Sequence, residues 1–172
     1  MSFFEARPDL EVRYVVDEES LKWQEVMKMD LESVLKGVHP PSDVQERVTF
    51  SPHNFFEEQP IKDTDVYFLR WVLHDWSDAY AVNILRALVP ALRKESRVVI
   101  NDAYLPEFGA ISLYQQRFLR ATDLTMKQIQ NARERDRKDW EVLLREADEL
   151  FHLIEIKCPA GSALAIIILG WK

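Results

Sequence analysis

The stretch Val66-Tyr67-Phe68-Leu69-Arg70-Trp71-Val72-Leu73-His74-Asp75-Trp76-Ser77-Asp78 decides how this chain reads. Residues 66–73 are mostly β-branched, aromatic and aliphatic, the composition of a strand buried on both faces of a sheet. His74, Asp75 and Trp76 follow at its carboxyl end, and Ser77 or Asp78 can cap a following helix. In open parallel α/β sheets, ligands bind outside the carboxyl ends of the strands. A histidine placed there can serve as a general base, because its ordinary pKa lies near neutrality. The local pattern equally suits a histidine packed at a strand-to-helix corner and satisfied by nearby backbone.

Outward from this stretch, strand and helix signals alternate, as in a βα-repeating parallel sheet. Residues 12–16 read as a short strand. Residues 18–36 carry apolar side chains at helical spacing (Leu21, Val26, Met29, Leu31, Val34, Leu35) before Gly37, Pro40 and Pro41 break the pattern. Residues 48–51 read as the next strand and 55–63 as a polar loop. The spacing predicts an amphipathic helix over 79–92, with Val82, Leu85, Leu88 and Leu92 on one face. Residues 97–102 form a strand ending in the carboxylate of Asp102, and 112–130 a helix whose apolar face Arg117 and Arg120 interrupt. Asp136 can cap a further helix presenting Trp140, Leu143, Leu144, Ala147 and Phe151 to a core. Two last strand signals, 153–157 and 163–169, flank Pro159, Ala160 and Gly161. That length suits a hairpin, an antiparallel pair on an otherwise parallel sheet. No repeat, low-complexity tract or linker interrupts residues 1–172, so a single α/β domain is expected.

At 172 residues the chain suffices for one well-buried domain. Hydrophobic residues at 47 % and charged residues at 30 % are ordinary for a soluble globular protein. A formal charge of −7 argues against a nucleic-acid partner, since phosphate binders present a basic face. The run 133–138 is mixed in sign and reads as a solvated turn or helix start. The single cysteine, Cys158, excludes an intrachain disulfide and a cysteine-only metal site, and reads as a small core residue. No metal site is expected. The first seven residues lack the basic start and sustained apolar run of a signal peptide. The most apolar segment, 163–171, is about half the ~20 residues of a membrane helix. These observations predict a cytoplasmic protein without a membrane partner.

Residues 68–78 closely resemble the central signature of small-molecule O-methyltransferases, the caffeic-acid type of plants and its fungal secondary-metabolism relatives. Arg47-Val-Thr-Phe-Ser-Pro-His-Asn-Phe-Phe56 resembles that family's third strand and following loop. Val98-Val-Ile-Asn-Asp-Ala-Tyr-Leu-Pro106 resembles its fifth strand, and Asn131-Ala-Arg-Glu-Arg135 followed by Trp140 its last catalytic segment. The resemblance spans residues 8–172. It implies that His74 is the base that takes a proton from a substrate hydroxyl as the oxygen attacks the methyl group of S-adenosyl-L-methionine (SAM). It implies that Asp102 (usually glutamate in the plant enzymes) and Glu134 hold and polarise that histidine. Arg70 matches a cofactor-contacting position, and Trp71 and Met126 fall where the family lines its pocket for a small-molecule substrate. The chemistry agrees: an acceptor on one imidazole nitrogen fixes the tautomer and leaves the other free as base. A sulfonium methyl is already electrophilic and needs chiefly alignment. The plain alternatives are Asp102 as a strand terminus and Glu134 within a solvated charge run.

The departures from the family matter equally. Its glycine-rich cofactor loop has no counterpart, because the four glycines stand apart at 37, 109, 161 and 170. The ribose-binding acidic residue matches Asp17 or Glu18, the register favouring Glu18, longer than the usual aspartate, and the aspartate beside the adenine is replaced by Asn54. Extra residues lie between Glu18 and Pro41, and the N-terminal dimerisation domain is lacking. The expected fold is therefore a truncated Rossmann-like sheet without its first strand. That strand would lie between residues 12–16 and 66–73. Strands pair at ~4.8 Å, so its loss opens a slot of about twice that width. Unpaired backbone cannot stay exposed there. The sheet closes up, another chain supplies the strand in a homo- or hetero-oligomer, or the chain is poorly stable. Three functions follow: an O-methyltransferase domain on a phenolic or polyketide-like hydroxyl completed by a partner, a cofactor-independent cyclase or isomerase on the same scaffold, or a non-catalytic subunit or truncated product.

Overall fold

A computed structural model describes residues 13–15, 26–42, 45–46 and 48–172. In chain order the elements are β1 (Arg13–Val15), β2 (Val26–Asp30), α1 (Glu32–Leu35), β3 (Val48–Pro52), β4 (Val66–Arg70), α2 (Asp78–Leu88), β5 (Arg97–Asp102), α3 (Leu113–Gln130), α4 (Arg137–Ala147), β6 (Phe151–Lys157) and β7 (Ala165–Trp171). Five strands form one sheet in the order β1-β4-β5-β7-β6, and β2 with β3 forms a second, parallel pair. The parallel core is β4 beside β5, with Val66 opposite Arg97 and Arg70 opposite Asn101. Antiparallel strands flank it: β7 against β5, and β6 against β7 in the expected hairpin.

The slot beside β4 is closed. β1 pairs with it directly and antiparallel, Arg13 opposite Leu69 and Val15 opposite Tyr67. Unpaired N–H and C=O groups on β4 thereby find partners within the chain.

One expected helix is corrected. Of residues 18–36, those before Val26 lie outside the described residues, and Val26–Asp30 is strand β2, in register with Val48–Pro52. Only Glu32–Leu35 is helical. A short apolar run carries no decisive period, and an available partner strand outweighs helical spacing. Boundaries also move: Phe151, read with the helix after Asp136, opens β6, and β7 runs Ala165–Trp171 rather than over 163–169. β4 stops at Arg70 because Trp71 adopts a left-handed φ of 53°, which no strand continues. α2 stops at Leu88 because Pro90 has no N–H to extend it, leaving one 3₁₀ turn over Val89–Ala91. Cys158 is exposed just beyond β6, not a core residue.

The core lies between the sheet and the α2–α4 pair. Tyr67, Leu69, Ile100, Ile167 and Leu169 from the strands meet Ile84, Leu85, Trp140, Leu143 and Leu144 from the helices. Asp136 caps α4 as expected and forms a reciprocal capping box with Asp139. Ser112 and Gln115 make the same box at the start of α3. That helix is the outlier: of its 18 residues only Gln116 is buried, while Leu113, Tyr114, Phe118, Leu124 and Ile129 stay exposed. No helix among the described residues is long and apolar enough to cross a membrane.

Candidate active site

Parallel pairing of β4 with β5 sets their carboxyl ends side by side, so the turn leaving β4 meets the last residue of β5. The turn is tight. Trp71 donates its N–H to Asn101 O at 3.3 Å, and Leu73–Asp75 winds into one 3₁₀ turn that brings His74 inward. Asp102 accepts the Leu73 N–H on Oδ2 at 3.1 Å. It thus holds the Val72–Leu73 peptide, one residue before the histidine. Glu134 arrives from the segment between α3 and α4 and sets Oε1 3.4 Å from His74 Nδ1. Asp75 sets Oδ1 3.4 Å from Nε2 on the ring's other side. The Trp71 ring lies against the imidazole, centroids 4.4 Å apart.

His74, Asp102 and Glu134 are all buried, so these charges act in poorly solvating surroundings. Burial works against the imidazolium, but the Glu134 contact and the charges of Asp102, Asp75 and Glu134 outweigh it and hold the His74 pKa above its ordinary value. Burial pushes Asp102 up to about 6, opposed by the nearby His74 and Arg135. Burial likewise raises Asp75. Asp102 Oδ1 and Glu134 Oε2 are buried without a hydrogen-bond partner among the described residues. With Glu134 accepting at Nδ1, the neutral ring carries its lone pair on Nε2, the nitrogen that faces Asp75. An imidazole nitrogen in that state can accept a proton.

The charge run 133–138 is corrected: Glu134 and Arg135 are buried. Arg135 donates from Nη1 to Leu73 O at 2.8 Å, from Nη2 to Trp76 O at 2.9 Å and from Nε to Asp78 Oδ1 at 3.0 Å. Its guanidinium lies 5.5 Å from the Trp140 ring. Arg133 holds the other oxygen of Asp78 at 2.8 Å. Burial disfavours the Asp78 carboxylate, but Arg135 and Arg133 outweigh it and keep its pKa below the ordinary range. Sequence reasoning misses Arg135. The signal to be had is the alternation Arg133-Glu134-Arg135, which in extended chain sends the acid one way and both bases the other.

The remaining positions stand further off. Arg70 ends β4, half-buried. Asn54 is occupied locally: its Oδ1 accepts the Phe56 N–H at 3.2 Å and its Nδ2 donates to Glu57 at 3.3 Å. It shapes the turn that packs Phe55 and Phe56 onto Trp76. Met126 lies half-buried on α3, and its carbonyl closes that helix by accepting from Asn131 and Ala132. A cleft of about 450 Å³ beside the histidine is lined by Asp75, Trp76, Ser77, Tyr80, Gln130 and Asn131, with neither Trp71 nor Met126 in its wall. Glu18 lies outside the described residues. Among them, no three His, Cys, Asp or Glu side chains group to hold a metal ion.

A sequence model of the O-methyltransferase domain matches residues 22–148. The chain belongs to the O-methyltransferase family. Over 143 residues it is 48 % identical to O-methyltransferase kk1A of Curvularia clavata, covering 83 % of this chain and 34 % of the relative. It is 43 % identical to the grayanic acid biosynthesis cluster O-methyltransferase of Cladonia grayi, covering 83 % and 32 %. The chain therefore spans about a third of the length of these relatives. The solved structure of LepI in complex with SAM superposes with a TM-score of 0.73 at 28 % identity, over 98 % of this chain and 39 % of that one. A structure described as a pericyclic reaction enzyme matches to the same extent. This O-methyltransferase-type domain accordingly has relatives in secondary metabolism, and SAM is the family's cofactor.

Whether the described residues fit SAM divides in two. The histidine is buried and flanked by carboxylates. The cradle for the cofactor's charged end is not built: Gly37, Gly109 and Gly161 face open space, and Gly170 lies inside β7. The described residues thus show a histidine among buried carboxylates and no glycine cradle.

Proposed function

We propose that this chain carries the proton-abstracting half of a SAM-dependent O-methyltransferase directed at a hydroxyl of a small phenolic or polyketide-like metabolite. The observation behind this reading is His74, held at Nδ1 by Glu134 and touched at Nε2 by Asp75, which lines the cleft. Nε2 takes the hydroxyl proton as the oxygen becomes nucleophilic, and the resulting imidazolium is stabilised by Glu134 and Asp102. Bound SAM supplies an electrophilic methyl group. Arg70, Asn54 and Glu18 are the chain's own candidates to hold it, while a partner chain completes the charged-end cradle. A partner strand inserting beside β4 must displace β1. The setting is cytoplasmic.

Calorimetric titration with S-adenosylhomocysteine, run beside a measurement of oligomeric state, tests the proposal. Weak or no binding by the monomer and binding after reconstitution with a partner is the expected result. Submicromolar binding by the monomer alone overturns the partner requirement.

The match to a structure described as a pericyclic reaction enzyme favours a second reading: a cyclase or isomerase that needs no methyl transfer. The two part at H74A. Loss of methyl transfer in a reconstituted mixture supports the first, and loss of a cofactor-free transformation the second. A folded chain with neither activity in any mixture would be a non-catalytic subunit.

A further inference from the structure

Arg135 is 1 % exposed, and all three guanidinium nitrogens are engaged. The two carbonyls it holds, Leu73 and Trp76, bracket His74 and Asp75. Leu73 is gripped at both its backbone groups, its N–H by Asp102 and its C=O by Arg135. Arg135 is itself anchored beyond β5, where its carbonyl accepts the Leu105 N–H at 3.0 Å and it bridges to Tyr104. Its chain neighbour is Glu134, so one short segment fixes both the peptides around the imidazole and the carboxylate on it.

We infer that Arg135 is a positioning residue, setting the orientation of His74 by clasping the two carbonyls that bracket it. This rests on the reading of His74 as the base. Only a guanidinium fits the task, because three donors must leave one plane in fixed directions toward two carbonyls and a carboxylate. A lysine keeps the charge and loses the fork. The groups facing the imidazole are Glu134, Asp75 and Asp102, with Arg135 behind the turn. A slack clasp moves His74 away from Glu134 and weakens the contact that favours its protonated form.

The test is NMR titration of His74 in the whole chain, without cofactor or substrate, in wild type, R135K and D78N. Hydrogen exchange at the Leu73 amide is read alongside. In R135K we expect His74 to titrate about half a unit or more lower. The Leu73 amide should exchange at least ~tenfold faster while amides of Ile100 and Leu169 hold their protection. A purely structural arginine would loosen the entire fold and leave the His74 titration in place. A folded R135K with wild-type titration overturns the inference. Should R135K fail to fold, D78N decides: it removes the carboxylate that steadies Nε and Nη2 but leaves the arginine. Faster Leu73 exchange with a displaced His74 curve supports the clasp, and unchanged curves overturn it. Because no methyl donor is used, a negative S-adenosylhomocysteine titration leaves this result readable.

Discussion

Glu134 Oε1 lies 3.4 Å from His74 Nδ1, although the two residues are 60 positions apart in the chain. The distance is long for a charge-assisted hydrogen bond, and such contacts tighten once a ligand excludes water. Replacing Glu134 by glutamine removes the charge while keeping an acceptor. The His74 pKa should fall, and any hydroxyl-directed activity should drop by about a hundredfold or more. Histidine NMR and turnover in a reconstituted mixture check the two halves of this expectation.

Asp75 faces His74 Nε2, and its negative charge favours the protonated ring. D75N therefore lowers the His74 pKa, and the acidic limb of a pH–rate profile moves to lower pH. An unshifted limb would mean that Asp75 turns away from the ring in the working complex.

Asp102 titrates near 6 in the folded chain, above the 3.8 of a free carboxyl. A raised carboxyl pKa gives a stability contribution present below the unfolded pKa and lost as pH rises through the folded one. The loss runs from about pH 4 to 6 and amounts to roughly 3 kcal/mol at most. D102N should match wild type near pH 4 and gain on it by pH 8, less the cost of the amide N–H placed where Oδ1 has no partner. Urea unfolding at the two pH values measures the difference.

The two arginines on Asp78 are unequal. Arg133 is 43 % exposed and its loss in R133A should cost about 0–1 kcal/mol. D78A strips the buried Arg135 of its counter-charge and should cost about 3–5 kcal/mol. Thermal unfolding of both variants ranks them.

A Cβ added to Gly170 would meet the His152 ring at 2.5 Å. G170A should destabilise the hairpin by about 1–3 kcal/mol, and H152A in the same chain should return most of it. Equal stability of the single and double variants would refute the clash.

What the sequence discloses follows from how local each feature is. The β4 strand, the histidine after it and the acid ending β5 are written in contiguous residues, and parallel pairing then forces them together. Glu134 is legible through resemblance, because nothing near residue 134 announces a histidine 60 positions away. Arg135 reads as solvated, since its three acceptors are two carbonyls and an acid more than 50 residues distant. β2 escapes notice because Val26, Met27 and Met29 fit a helix face as well as a strand, and only the pairing with β3 separates the two. Asn54 is a candidate by resemblance alone, and its turn-forming hydrogen bonds appear only once Phe56 and Glu57 fold back.

α3, capped at its start and buried at a single residue, is held mainly by its own hydrogen bonds. Its amides should therefore exchange by local fraying, well before those of the sheet, making it the first segment to open under mild denaturant. Because the Met126 carbonyl anchors Asn131 and Ala132, each opening slackens the tether leading to Glu134. A labelling experiment would then see the surroundings of Glu134 breathe in step with a helix that never touches the core's centre.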